Sequence, residues 1–422
     1  MIWHRITHVA KLIVLGILFI LTVGPEWPAF GDEAHRLNGL IKLRQFDFLV
    51  WELNAIGSKG EAALASGHPY LSETTRHDIA LDFLEQLRAI RQLEVKITRF
   101  YIDPAVANPD AGTAALQAEL AQERAALTQI QPYVEAIVQD QVAAVLADEG
   151  FQVLGQAWPP VMMHVTSLPH LLIVSPRDHI ERRYGIPLVN GLTTPEKEAL
   201  ETAVFEELNL SALVVPLDGL GTYPAMIEET SNVNRLAEVV AHEWAHHWLT
   251  PYPSTLQYTT SGQARTINET IASIVGKEIG PLVVERFYPD QLPPPQKAAV
   301  VPPPPDPDVE PPFDFRAEMA ETRITADRLL AEGKIEAAEA YMEERRQLFV
   351  AHGYLIRKLN QAYFAFHGAY ADEPGEAGSD PIGPTLLQIR QATPSLRAFM
   401  KQVAPASSYE ELKRILESLS SN

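Results

Sequence analysis

The chain has 422 residues, with 54 acidic against 34 basic side chains and a formal net charge of −20 at pH 7. So acidic a surface argues against a nucleic-acid partner, whose phosphates need a basic face. There is no cysteine, which excludes thiol catalysis and cysteine metal ligands; a chain this long can build its core without disulfides.

Residues 1–31 read as a targeting segment. Arg5 and Lys11 precede an apolar run, Leu12–Gly24, with a small-x-small site at Ala29-Phe30-Gly31. This is the pattern of a signal peptide, or of an uncleaved anchor that attaches the chain to a membrane through residues 12–24. Either reading implies export, with the protein secreted or held at the cell envelope. Residues 32–150 read as helical. Apolar and charged residues alternate at helical spacing over Leu37–Leu53, Arg76–Phe100 and Ala114–Glu149, which predicts an antiparallel hairpin or bundle.

From Phe151 the pattern changes. Val161–Val165, His170–Val174 and Ala212–Pro216 are β-rich runs. Gly219-Leu220-Gly221 predicts a turn into a further strand, Tyr223–Ile227, which Pro224 restricts to a sheet edge. Thr194–Leu208 is a helix with Pro195 in its first turn. A second helix runs from Val233 to Leu249, with Ser231-Asn232 as cap and Pro251 and Pro253 as stop. Thr266–Ser273 lies in a third, with Ile267, Ile271, Ile274 and Ile279 on its apolar side and Gly280-Pro281 at its end. Residues 291–316 form a linker or surface loop, since Pro293–Pro312 holds ten prolines. The C-terminal part, 317–422, is helical over Ala317–Glu332, Ile335–Phe366 and Tyr409–Leu419.

The second helix carries His242-Glu243-Trp244-Ala245-His246. Residues four apart share a helix face, so two imidazoles can bind one Zn²⁺ and Glu243 can reach water held beside them. Leu236, Val240, Trp244 and Trp248 form the inward stripe, whereas Arg235, Val239, His242 and His246 fall on a neighbouring stripe that can face a cleft. A catalytic zinc takes three protein ligands. Glu269, Glu278, Glu285 and His247 are the candidates for the third. His247 points about 100° away from His246, and Glu278 and Glu285 read as solvated.

The pair of segments resembles the gluzincin group of zinc metallopeptidases, which places HExxH on one helix and a glutamate on a following helix, often as Asn-Glu-x-x-Ala. The matching residues are His242, Glu243, His246, Glu269 and Ala272, within about 212–280. The resemblance implies His242, His246 and Glu269 as metal ligands, Glu243 as general base, and an α+β, mostly helical fold with a zincin-like core over 151–290. Ser273 departs from the aspartate that thermolysin-like members place there to orient a histidine, so another residue must hold that imidazole. In that fold an edge strand binds extended peptide, and 223–227 is the candidate. Glu228-Glu229, next to it, is a candidate for capturing a substrate amine. Tyr363, His367 and Tyr370 are candidate donors to the reaction's oxyanion.

The reading is thus an exported Zn²⁺-dependent peptidase acting on peptide or protein substrates. The alternatives are a non-catalytic envelope module with a structural zinc, and a zinc hydrolase of non-peptide amides or esters.

Overall fold

The computed structural model describes residues 31–65, 68–102, 106, 108–294, 313–373 and 375–420. The expected signal or anchor, including residues 12–24, and most of the proline-rich segment lie outside the described residues. Among the described residues no helix is long and apolar enough to cross a membrane. The chain divides into two compact units, 1–43 and 44–422. The first contains α1 (Glu33–Ile41), capped by Asp32, whose carboxylate accepts from His35 N at 2.7 Å.

The second unit opens with α2 (Phe48–Ala65), α3 (Glu73–Ile102) and α4 (Pro109–Asp148). The single helix expected over 37–53 is therefore two. Leu43 takes φ +72°, outside helical space, and Asp47 starts the next helix by accepting from Val50 N. The expected hairpin is present: α3 and α4 pack against each other, and Phe83, Leu87 and Ile90 of the first share one core cluster with Leu127, Val134 and Val138 of the second.

Strand β1 (Gln152–Val153) pairs with β2 (Gln156–Ala157) as a small hairpin. The remaining strands form two three-stranded sheets. In one, β4 (His170–Ser175) lies between β5 (Tyr184–Leu188) and β6 (Ser211–Val215), all antiparallel, with α5 (Thr194–Leu208) joining β5 to β6. In the other, β8 (Ala225–Glu228) lies between β3 (Met163–Thr166), parallel to it, and β7 (Gly219–Leu220), antiparallel. This corrects one expectation. The segment around 223–227 is a central strand, and Pro224 sits just before its first ladder residue. The edge is β7.

Three helices follow: α6 (Val233–Leu249), α7 (Pro253–Leu256) and α8 (Gly262–Phe287). Helix α8 does not stop at Gly280-Pro281. Burial of Val283 and Val284 in the core carries it through the proline for two further turns. The C-terminal helices are α9 (Phe315–Ala331), α10 (Ile335–Ala351), α11 (Gln361–His367), α12 (Ile382–Ala392), α13 (Leu396–Val403) and α14 (Tyr409–Ser420). The helix expected over 335–366 is broken at Gly353, φ +90°, and restarts where Asn360 caps Tyr363 N.

Two apolar clusters hold this unit together. The larger joins α3, α4, α6 and α8 with Leu386, Phe399, Met400 and Leu412 of the last three helices. The smaller lies between β4, β6 and α9–α11, around Ile173, Leu213, Met342, Phe349 and Phe364. Of the described residues 64% are helical and 9% are in strands, an α+β, mostly helical fold.

Candidate metal centre

Helix α6 starts where Asn232 Oδ1 accepts from Asn234 N and Arg235 N. Its stripe of Leu236, Val240 and Trp244 is buried, and Trp244 packs edge-on to Phe151 while its Nε1 donates to Pro159 O at 2.8 Å. Helix α8 lies against it unusually closely. A Cβ on Gly276 would sit 2.9 Å from Glu238 O and 3.2 Å from His242 Cβ, and one on Gly280 would sit 2.8 Å from Glu238 Cα. Ala272, Gly276 and Gly280, spaced by four, make the shallow ridge that this approach requires.

That approach brings three donors together. His242 Nε2 and His246 Nε2 are 3.2 Å apart, and Glu269 Oε2 lies 3.5 Å from the first and 3.6 Å from the second. A tetrahedral ion with bonds of roughly 2.1 Å separates its ligands by about 3.4 Å, so the triangle has the size of one face of such a site. Glu269 is 5% exposed, and its Oε2 has no hydrogen-bond partner. A buried carboxylate oxygen aimed at two imidazole nitrogens without a bond of its own is what a cation would satisfy. The three residues are thus positioned to bind a metal. No other His, Asp or Glu among the described residues joins the cluster.

The supporting groups follow from the same two helices. His246 Nδ1 meets Asn268 Oδ1 at 2.7 Å, and Asn268 Nδ2 donates to Ser254 Oγ and Thr255 Oγ1 of α7. Because the amide donates to two hydroxyls, its oxygen faces the ring. His246 must then carry its proton on Nδ1 and keep the Nε2 lone pair for the metal. Asn268 supplies the orientation that Ser273 cannot. The Tyr258 hydroxyl donates to Glu269 Oε1, fixing the other carboxylate oxygen. Burial pushes the Glu269 carboxyl up, but His246 and His242 outweigh it and hold it at about 2.

Glu243 lines two cavities that His242 also lines. It is 4% exposed, and its Oε2 has no partner. Burial raises its pKa to about 8; His242 opposes this, and Glu269 and Asp218 add to it. Edge strand β7 passes directly over it. A Cβ on Gly219 would lie 2.8 Å from the Glu243 carboxyl carbon, so only glycine lets strand and carboxylate share this position.

Two cavities meet over these groups. One, of about 530 Å³, opens toward Arg235, Lys277, Arg316 and His367; the other, of about 430 Å³, opens toward Arg182, Thr255 and Tyr258. His242, Glu243, Gly219, Phe366 and Tyr370 line both. The C-terminal segment thus closes the cleft. Of its three candidate donors, Tyr370 is beside the centre, with its ring 6.3 Å from that of His242. His367 lines only the first cavity, where burial lowers its pKa to about 4. Tyr363 lines neither; its ring lies tilted against that of His367, with centroids 4.3 Å apart, and its hydroxyl meets Glu376 at 3.4 Å.

Of the rival third ligands, Glu285 is exposed and the other two are engaged elsewhere. His247 Nε2 bonds Thr222 O at 2.6 Å. Glu278, expected to be solvated near a helix end, is in mid-helix and pairs bidentately with Arg390. The Glu228-Glu229 pair does not face the cleft. Glu228 accepts from Leu168 N and Glu229 from Arg124, because β8 carries them toward the α3–α4 hairpin. Asn268 was already legible as part of Asn-Glu-x-x-Ala. Tyr258 and Arg182 carry no local signal, since their roles arise only from folding.

In comparisons with known proteins, no family model, no curated protein and no solved structure matches this chain. Fold and site together define an α+β, mostly helical protein with a His–His–Glu triad, its histidines half-buried and its glutamate buried, positioned to bind a metal.

Proposed function

We propose that this protein is a zinc-dependent peptidase with a zincin-like core. The observation that carries the reading is the unpartnered Glu243 carboxylate beside an open three-donor triangle, under the edge of a sheet. A structural site has four protein ligands and needs no base; here three donors converge and a buried carboxylate stands next to them.

His242, His246 and Glu269 would hold the ion, whose chemistry when bound is to polarise a carbonyl and acidify water. Glu243 takes the proton of the attacking water and hands it to the leaving amine. Its raised pKa suits that exchange at neutral pH, and the charge of a cation in the triad pulls it back down. The unpaired side of β7 can hydrogen-bond an extended substrate by strand addition. Tyr370 is 36% exposed as a residue, but desolvation of its hydroxyl on the cleft wall and the charge of Glu269 both raise its pKa, so it is protonated at neutral pH and can donate to the oxyanion.

Zinc analysis of the purified protein, with Glu269→Ala and Glu243→Gln beside it, tests this. About one zinc per chain is expected, retained by Glu243→Gln and weakened in Glu269→Ala. Cleavage of a mixed peptide pool should be lost with Glu243→Gln. Equal turnover by that variant refutes the mechanism; failure to take up zinc refutes the reading.

A further inference from the structure

The cleft carries a cation that forms no ion pair with any of the described residues. Arg182, in the loop before β5, lines the second cavity together with Glu269 and Tyr258. Its guanidinium occupies the space a Cβ on Gly185 would need, 2.6 Å from Cζ, and stands 5.9 Å from the centre of the Tyr258 ring. Glycine below and an aromatic ring beside it fix the group without using its N–H donors. No carboxylate among the described residues pairs with Arg182, although the chain has 54 acidic side chains and the neighbouring Arg177, Arg235 and Arg357 all have carboxylate partners.

The wall behind it is cationic too. Arg265, 6% exposed, donates from Nε to Tyr258 O and also lies by the Tyr258 ring, at 5.6 Å, again without an ion pair among the described residues. Buried cations are ordinarily paired, because leaving water is costly. Here two guanidiniums flank the tyrosine that holds Glu269, and only Arg182 reaches the cavity. A planar fork with free donors, held rigidly in a cleft, matches one ligand chemistry above others, a carboxylate bound through two parallel hydrogen bonds.

Resting on the peptidase reading, we propose that Arg182 selects substrates by binding a carboxylate of the peptide, presented to the second cavity beside the centre. The carboxylate can be the peptide's C-terminus or an Asp or Glu side chain. Gly185 and Tyr258 are positioning residues for that arginine.

The test is a binding measurement on the full chain, reconstituted with zinc and made inert by Glu243→Gln. Calorimetry compares one unstructured peptide as its free acid, as its C-terminal amide, and as the amide with a single Gln→Glu change at each position in turn. A carboxylate-bearing form should bind roughly 10- to 100-fold more tightly than the fully neutral amide. Adding Arg182→Gln should bring the two to equal affinity, and Gly185→Ala, which displaces the guanidinium, should do the same in part. A preference for the free acid assigns the C-terminus; a preference for one Glu position assigns a side chain. Equal binding of all forms, or a preference that survives Arg182→Gln, overturns the proposal. Cleavage of the same peptides by the unaltered enzyme is read separately. Turnover without carboxylate preference leaves the peptidase and removes this inference. Carboxylate-selective binding without any turnover removes the peptidase and leaves Arg182 as a carboxylate site.

Discussion

Gly276→Ala is a one-atom test of how the centre is built. The added Cβ would lie 2.9 Å from Glu238 O, a backbone atom, and 3.2 Å from His242 Cβ. Ordinary contact begins at 3.4 Å, so α6 and α8 must part by about 0.5 Å, the difference between 3.4 and 2.9. His242 and His246 are on one helix and Glu269 is on the other, so the shift is felt directly in the 3.5 and 3.6 Å edges of the triangle. Metal sites tolerate ligand displacements of only about 0.2 Å. Zinc affinity should therefore fall by at least ~10-fold, as it does when supporting groups of a zinc site are removed. The stability cost should be small, because overpacking of ~1–3 kcal/mol is partly offset by the ~1 kcal/mol helix preference of Ala over Gly. Chelator competition gives the zinc affinity, and thermal unfolding of the metal-free protein gives the stability. Gly262→Ala is the control, since nothing lies within 4 Å of a Cβ there. If Gly276→Ala binds zinc as tightly as the parent, close helix approach does not set the ligand geometry and the reasoning fails.

Other perturbations separate the remaining parts. Gly219→Ala should keep zinc but push the Glu243 carboxyl carbon from its 2.8 Å contact, and a displacement of this order costs roughly 100-fold in turnover; unchanged kcat with the peptide pool would refute the role of β7. Asn268→Leu should weaken zinc roughly 10- to 100-fold by freeing the His246 tautomer, checked by the same chelator competition. Trp244→Ala should destabilise by ~3–5 kcal/mol in denaturant unfolding, because the ring is 1% exposed and fills the core behind the histidines. His77, on α3, has its pKa raised by hydrogen bonds to Asp78 and to Asp290, which follows α8. A raised folded-state pKa stabilises fully below the unfolded value of about 6.5 and stops doing so as pH rises through the folded value. His77→Gln should therefore lower the melting temperature more at about pH 5 than at about pH 9.

What was legible beforehand were features written in local spacing. The bounds of α6, its asparagine cap and its buried stripe follow from residues three and four apart, and the two histidines share a face for the same reason. Turns governed by a single backbone angle were less legible. Leu43 and Gly353 break helices that periodicity alone would continue, whereas Pro281 fails to break one because the core beneath it is apolar. Strand identity was readable in the β-rich runs, but sheet order was not. Pro224 suggested an edge, yet β8 became central because β3 and β7 both found it.

By itself, then, the sequence determined the donors: two imidazoles one turn apart, a carboxylate between them, and an Asn-Glu pair on a later helix. Only the tertiary structure decided that Gly276 and Gly280 let those helices close to ligand distance, and that Gly219 lets a strand edge cover Glu243. It also decided that Tyr370 rather than Tyr363 faces the centre, and that Arg182 reaches the cleft without a partner. The physical reason is one of range. Helix periodicity and capping act over a few residues, whereas coordination, desolvation and steric fit depend on atoms brought together from segments far apart in the chain.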